Sequence, residues 1–179
     1  MSRTLIVYFS RPGGNHSPSG IVDLRIGYTA YAASVTESLT GADVFRIDMA
    51  EPYSENYRAC CGQAVAHKLE NARPALARWP EAGVVEECRT LILCCPNYCG
   101  TVPMAVLTFL EEYNWGGKTV LPLVTHGGGG AGSAAADIAA AAPGALVKEP
   151  LAIPGHEAAG AKLDIQLWLT LHGVGMEEE

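Results

Sequence analysis

Three short apolar segments of the chain are each followed directly by a loop rich in glycine, serine, asparagine or aromatic residues. The segments span residues 5–9, 90–95 and 119–124, and the loops span residues 10–15, 96–101 and 125–130. Short apolar runs that end at glycine or proline are typical of buried β-strands. The carboxyl ends of parallel strands lie at one edge of a sheet, where ligands bind. The pattern therefore predicts an open parallel sheet with one binding site made by three loops.

Segments of helical character separate these strands. We expect helices over residues 29–39, 57–71, 104–113, 133–142 and 157–171, and further strands over 43–48 and over 145–147 or 151–153. Such alternation implies a parallel sheet with helices on both faces. The predicted fold class is therefore α/β, a three-layer sandwich, with residues 1–179 in one domain. Residues 15–27 are expected to be an irregular insertion with a brief extended piece at 21–24.

Composition excludes some classes of partner. The formal net charge is −7, and binding to nucleic acid or to an anionic membrane requires clustered lysine and arginine. No export signal or membrane span is visible, so we expect a cytoplasmic protein whose six cysteines are mostly reduced. Cys60-Cys61 and Cys94-Cys95 are adjacent pairs without the spacing of a zinc site, so no metal site is predicted. Cys94 and Cys95 are expected to fill the core.

The first loop has the composition of a phosphate site. Ser10 and Arg11 leave the first strand, while Tyr28 and Thr29 lead into the first helix. Hydroxyl groups and backbone N–H groups at a helix start attract anions, and the helix dipole adds to that attraction. The insertion divides this phosphate site in the sequence, and we expect its two parts to meet in space. A simple turn at the end of the strand is the alternative interpretation.

The second loop offers an aromatic face. Pro96 and Asn97 precede Tyr98, on which a flat ring would stack, and Gly100 would allow the backbone to approach that ring closely. Alternatively, Tyr98 covers the end of the sheet. Cys99 has either a redox role or a structural one.

The third loop offers bare backbone. Thr125 and His126 precede a run of glycines that begins with Gly127 and Gly128, and glycines leave no side chain between backbone and ligand. His126 either bonds the edge of a bound ring or anchors the loop to neighbouring backbone. A phosphate site, an aromatic face and bare backbone together predict a site for flavin mononucleotide (FMN).

In series, several segments resemble the flavodoxin-like family, most closely its short-chain members with an insertion in the phosphate loop. These segments are residues 6–11, 27–29, 51–53, 96–104, 108–111, 117–119 and 125–128. The resemblance implies a flavodoxin-like five-stranded sheet in order 2-1-3-4-5, with FMN where the strand order reverses. It also implies that Ser10, Arg11 and Thr29 meet the phosphate. The residues implied to frame the ring are Pro96, Asn97, Tyr98 and Gly100 on one side, and Thr125, His126, Gly127 and Gly128 on the other.

Two positions depart from the family pattern. Tyr28 stands where relatives usually have asparagine, and Tyr98-Cys99 stands where they usually carry tryptophan. The leading functional hypothesis is electron transfer through FMN, in which no side chain acts as a catalytic acid, base or nucleophile. The alternatives are an FMN-dependent NAD(P)H:quinone-type oxidoreductase and a flavodoxin-like module without cofactor. The expected partner is a redox protein or a small-molecule electron acceptor.

Overall fold

Strands and helices alternate along most of the chain in the computed structural model, which describes residues 3–175. The strands are β1 (Thr4–Tyr8), β2 (Gly13–Ser17), β3 (Gly20–Leu24), β4 (Asp43–Arg46), β5 (Thr90–Pro96), β6 (Thr119–His126), β7 (Leu146–Val147) and β8 (Leu151–Pro154). The helices are α1 (Tyr28–Thr40), α2 (Tyr57–Leu69), α3 (Val84–Glu87), α4 (Met104–Glu111), α5 (Ala134–Ala141) and α6 (Lys162–Leu171). A 3₁₀-helix covers Gly155–Gly160.

The main sheet is parallel, with the strand order β4-β1-β5-β6-β7. Strand β8 also pairs with β6, beyond the point where β7 ends. Both segments that the sequence offers for the fifth strand are therefore strands, and they share one position at the edge of the sheet. The α/β class is confirmed, and the predicted order 2-1-3-4-5 describes the positions in the sheet, with the fifth one divided.

The core lies on both faces of the sheet because alternate residues of each strand point to opposite sides. On β5, Leu91, Leu93 and Cys95 belong to one apolar cluster, whereas Ile92 and Cys94 belong to the other. Burial raises the pKa of the Cys94 thiol and raises the pKa of Cys95 to about 12. Both thiols stay protonated at neutral pH and pack as apolar side chains.

The insertion in the first loop is an antiparallel hairpin of β2 and β3, so the prediction of an irregular segment was wrong, while the extended piece predicted at 21–24 lies in β3. Strand β2 consists of two glycines and three polar residues, so it lacks the alternation of apolar and polar side chains that is the usual sequence signal of a strand. The pairing instead follows from the turn, where Gly20 has a φ of 114° that favours glycine. Residues 13–15, predicted as part of a loop, lie in strand β2.

The ends of several helices differ from those predicted. Helix α1 begins at Tyr28 with Gly27 as its N-cap, so Thr29 lies in its first turn instead of capping it. Gly41 ends α1 as predicted, in a left-handed conformation with a φ of 60°. The predicted last helix is divided into the 3₁₀-helix and α6. Among residues 3–175, no helix combines the length and the apolar composition needed to cross a membrane.

Candidate functional site

A cavity of about 530 Å³ lies at the carboxyl edge of β1, β5 and β6. This volume is within the range of roughly 300–1,000 Å³ that is typical of ligand sites. The structure brings together most of the residues that the sequence singled out, with the exception of Gly100 and Gly128. The predicted residues that line the cavity are Ser10, Arg11, Tyr28, Thr29, Pro96, Asn97, Tyr98, Cys99, Thr125, His126 and Gly127.

The two parts of the first loop meet at the start of α1. The N–H group of Ala30 donates to Ser10 Oγ at 3.1 Å, and the Thr29 and Thr125 hydroxyl oxygens are 2.7 Å apart. Since Ser10 Oγ accepts a hydrogen bond there, its own proton can be donated to a ligand. The first N–H groups of a helix have no partner within the helix. The start of α1 therefore presents donors and a helix dipole toward the cavity.

Gly27 is required at this junction because two neighbours approach its backbone closely. A Cβ atom at this position would lie 2.3 Å from Ser10 Oγ and 2.5 Å from the Arg11 carbonyl oxygen. Its φ of −66° is open to any residue, so space alone demands glycine. This close approach brings the end of β1 and the start of α1 together although the hairpin separates them in the sequence.

The Arg11 side chain is bonded to main-chain carbonyl groups. Its NH1 group donates to the carbonyl oxygens of Pro12 at 3.1 Å and of Ser54 and Glu55 at 3.0 Å. Its NH2 group donates to the carbonyl oxygen of Gly14. Its Nε atom is buried and has no partner among the described residues. The guanidinium group therefore holds neighbouring loops together in this structure.

Tyr98 lies between the end of the sheet and the cavity. Its ring makes edge contacts with Phe9 and Tyr53, with centroid distances of 6.0 and 5.9 Å. Burial raises the pKa of its phenol, so the group is neutral and able to donate a hydrogen bond at physiological pH. Tyr98 thus covers the end of β1 and also contributes to the cavity wall, and the stacking of a flat ring on it stays a prediction.

Asn97 joins the second loop to the third. Its side-chain nitrogen donates to the Gly130 carbonyl oxygen at 2.8 Å, and its side-chain oxygen accepts from the N–H group of Gly100 at 2.9 Å. The Gly100 carbonyl oxygen accepts from the N–H group of Ser133 at 2.8 Å. Gly132 has a φ of 54°, and a Cβ atom there would lie 2.0 Å from the Gly100 carbonyl oxygen. Gly100 therefore fixes the loops instead of lining the cavity.

His126 both anchors its loop and lines the cavity. The N–H group of Gly128 donates to His126 Nδ1 at 3.0 Å, so the proton of the neutral imidazole lies on Nε2. Gly127 lies against the hairpin, where a Cβ atom would be 3.1 Å from His16 Nδ1. The hairpin therefore reaches across to the third loop.

One wall of the cavity belongs to α2 and was not predicted from the sequence. Five residues of this helix follow the spacing i, i+3, i+4, i+7 and i+8, which places them on one helix face. That spacing was the available signal, but this face mixes apolar residues with cysteine and tyrosine. The residues are Tyr57, Cys60, Cys61, Ala64 and Val65. The other residues that were missed are Asn15, His16 and Gly155.

The Cys60 and Cys99 thiols at the cavity are poorly suited to nucleophilic chemistry. Burial raises the pKa of Cys99, and the neighbouring Cys61 thiol adds to this effect, while Lys68 opposes it. Burial likewise raises the pKa of Cys60. Because the thiolate is the reactive form of cysteine, a raised pKa lowers reactivity. Cys99 also has a positive φ of 55°, which fits a role in shaping the loop.

The charges at the cavity favour an anionic ligand. No aspartate or glutamate is among the described lining residues, whereas the guanidinium group of Arg11 is. This contrasts with the net charge of −7 of the whole chain. The start of α1 adds partial positive charge. Within residues 3–175, no group of three or more His, Cys, Asp or Glu side chains is placed to hold a metal ion.

The order of the strands and the position of the cavity define a flavodoxin-like α/β fold. The chain belongs to the flavodoxin family, because the family model described as Flavodoxin matches residues 24–170. No curated protein sequence matches the chain.

Solved structures share this fold at low sequence identity. A candidate flavoprotein from Bacteroides eggerthii has a TM-score of 0.71 at 23% identity, covering 97% of this chain and 99% of that one. A candidate flavoprotein from Bacteroides uniformis has a TM-score of 0.72 at 20% identity, covering 94% of this chain and 98% of that one. A flavoprotein from Lactobacillus acidophilus in complex with FMN has a TM-score of 0.58 at 15% identity, covering 89% of this chain and 98% of that one.

The contact between Gly132 and Gly100 predicts a strong effect of adding a methyl group. We expect Gly132→Ala to lower the free energy of unfolding by more than about 1–2 kcal/mol, the usual penalty of a left-handed conformation for an L-residue, because a clash with the Gly100 carbonyl is added. The control is Gly62→Ala in α2, where a Cβ atom has open space and a gain of roughly 0.5–1 kcal/mol is expected. Urea unfolding measures both, and an unchanged stability of Gly132→Ala would contradict the loop contact.

The raised pKa of the Tyr53 phenol, whose ring packs against Tyr98, predicts a loss of stability at alkaline pH. Burial, with the Cys60 and Cys99 thiols, raises the pKa of Tyr53 from 10.0 to about 12. The folded state therefore holds the phenol proton more tightly than the unfolded chain does. The resulting contribution of Tyr53 to the free energy of unfolding is complete below pH 10 and is lost as the pH rises toward 12. In urea unfolding across this pH range, the free energy of unfolding is expected to fall less steeply for Tyr53→Phe than for the exposed control Tyr31→Phe. Equal declines in the two variants would contradict the raised pKa of Tyr53.

Proposed function

We propose that the chain binds FMN in this cavity and takes part in electron transfer. The observation that carries the proposal is the location of a cavity without carboxylates at the start of α1 in an acidic chain. A phosphate group is one of the anions that bind at the start of a helix. The FMN bound to the Lactobacillus acidophilus flavoprotein of the same fold supports this choice of ligand.

The phosphate would be held at the start of α1. Ser10 supplies a hydroxyl donor, and the N–H groups of Tyr28 and Thr29 are free of partners within the helix. The Thr29 hydroxyl is bonded to Thr125, so it can accept from Thr125 while donating to a ligand, or the reverse. Gly27 keeps this group of donors compact, as its contacts with Ser10 and Arg11 show.

The ring would lie between the second and third loops. Tyr98 offers an aromatic surface, and the hydrogen bonds of Asn97 hold the two loops at a fixed separation. His126 can donate from Nε2, because its Nδ1 atom accepts from Gly128. The α2 face closes the other side of the cavity. These groups orient a flat ligand and reduce its contact with water.

Bound FMN would supply reversible uptake of one or two electrons. The residues of the chain bind, orient and shield, and the raised pKa values of Cys60, Cys99 and Tyr98 keep these groups protonated. None of them needs to act as a nucleophile for electron transfer. His126 is placed to stabilise negative charge at its side of the cavity by donating a hydrogen bond.

An FMN-dependent NAD(P)H:quinone-type oxidoreductase is the second candidate function. The observation that favours it is the apolar side of α2, where Val65 lines the cavity while 47% exposed. An apolar, accessible side chain beside the site gives a flat organic acceptor a surface to contact. The electron partner that we propose is accordingly a redox protein or a small-molecule acceptor.

Flavin titration tests the proposal. We expect apoprotein to quench FMN fluorescence and to bind riboflavin more weakly, because riboflavin lacks the phosphate. Ser10→Ala is expected to weaken FMN about tenfold, the fold-change of one hydrogen bond to a charged group, and to leave riboflavin nearly unchanged. The control is Thr40→Val at the other end of α1, where the hydroxyl bonds the Thr36 carbonyl oxygen. Absence of FMN binding, or equal losses for both flavins, would refute the phosphate assignment.

A turnover assay separates the two functions. An electron carrier is expected to show little steady-state oxidation of NADH or NADPH when a quinone is the only acceptor. A reductase is expected to turn over without a partner protein, and Val65→Asp should then raise KM for the quinone. Rapid turnover by the wild-type chain would replace the carrier assignment with the enzymatic one.

A further inference from the structure

We propose that Arg11 is a positioning residue that fixes the β2–β3 hairpin as a wall of the flavin cavity, and that it is not a ligand of the phosphate. The proposal rests on the proposed function only where flavin retention is concerned. Its structural part concerns the hairpin itself and applies to the flavin-free chain.

Arg11 connects two segments that are distant in the sequence. It is only 8% exposed, and its guanidinium group donates to the carbonyl oxygens of Pro12 and Gly14 at the base of the hairpin. The same group donates to those of Ser54 and Glu55, just before α2. One side chain therefore joins the base of the hairpin to the segment that leads into the α2 wall.

The packing around this junction is tight. The N–H group of Gly14 donates to the Glu55 carbonyl oxygen at 2.8 Å. A Cβ atom at Gly13 would lie 2.7 Å from both Glu55 Cβ and the Glu55 carbonyl oxygen. Asn15 Nδ2 donates back to the carbonyl oxygens of Arg11 and Gly13 at 3.2 and 3.0 Å. The hairpin therefore has a defined position at its base.

The hairpin extends from its base across the cavity to the third loop. Asn15 and His16 of β2 both line the cavity, and His16 lies against Gly127 of the third loop. A hairpin fixed at its base thus forms a bridge from the α2 side to the third loop. If the base moved, the wall would move with it.

Arginine suits this role because its planar group offers several donors in a fixed arrangement, whereas lysine is a point charge. In residues 3–175, no ion pair includes Arg11. Its charge is therefore balanced by carbonyl dipoles, and it can still attract an anion at a distance. Its Nε atom is buried, and NH1 and NH2 are engaged with carbonyl groups. With these bonds in place, the N–H groups left for a phosphate are one on NH2 and the buried one on Nε.

Hydrogen exchange of the flavin-free chain tests the structural part. The variants are Arg11→Lys, which keeps the charge, and Arg11→Met, which removes it, with Arg58→Met on the exposed side of α2 as the matched control. We expect both Arg11 variants to accelerate exchange of the amides in residues 13–24 by about tenfold or more, the effect of losing a charged hydrogen bond, while β5 is unchanged. Wild-type protection of the hairpin in Arg11→Lys would overturn the proposal.

Flavin affinity tests the functional part. If Arg11 positions the hairpin, Arg11→Lys weakens FMN and riboflavin by the same factor, because the charge is retained and only the wall is displaced. If it is a phosphate ligand, Arg11→Lys retains FMN and Arg11→Met loses FMN but not riboflavin, which would overturn the proposal. Gly13→Ala displaces the same junction with Arg11 intact and is expected to act like Arg11→Lys. Failure of the wild-type chain to bind flavin would refute the proposed function, while hydrogen exchange would still decide the role of Arg11.

Discussion

Parallel pairing of β1, β5 and β6 is the constraint on which the site depends. The register sets Tyr8 beside Cys94 and Pro96 beside Thr125, so the three strands end at nearly the same level. The loops that follow these strands therefore lie together at one edge of the sheet. Since these strands are buried on both faces, a shift in register would displace many apolar side chains at once. The core thereby fixes the geometry of the loops.

The loops in turn stabilise one another. Asn97 is bonded to Gly130 and Gly100, the Gly128 N–H group is bonded to His126, and Gly127 lies against His16. The Asn97–Gly130 and His16–Gly127 contacts join segments that are distant in the sequence, and the other two stiffen single loops. A site of this kind reduces the conformational entropy that binding must overcome. It is consistent with a protein whose main task is to hold and shield a rigid ring.

The sequence was sufficient to predict the strands and the three loops because continuous apolar runs and glycine-rich ends are local signals. It was insufficient where the structure depends on contacts between distant segments. The hairpin pairs a β2 strand that has no apolar side chain with β3, and its position is specified by its turn and by Glu55. The engagement of Arg11 with the Ser54 carbonyl group, and of Thr29 with Thr125, depends on tertiary structure alone. A glycine in the sequence can indicate either access for a ligand or close packing of the backbone, and Gly27 and Gly132 are needed for close packing.

The division of the fifth sheet position between β7 and β8 affects how the molecule meets other chains. An open sheet edge exposes N–H and C=O groups that can recruit a further strand and start aggregation, and short edge strands with proline resist this. Strand β7 has two residues and β8 has four, while Pro150 and Pro154 lack an N–H group to donate. The opposite edge, β4, is also only four residues long. Short edge strands flanked by proline thereby limit pairing of the sheet edge with a second copy of the chain.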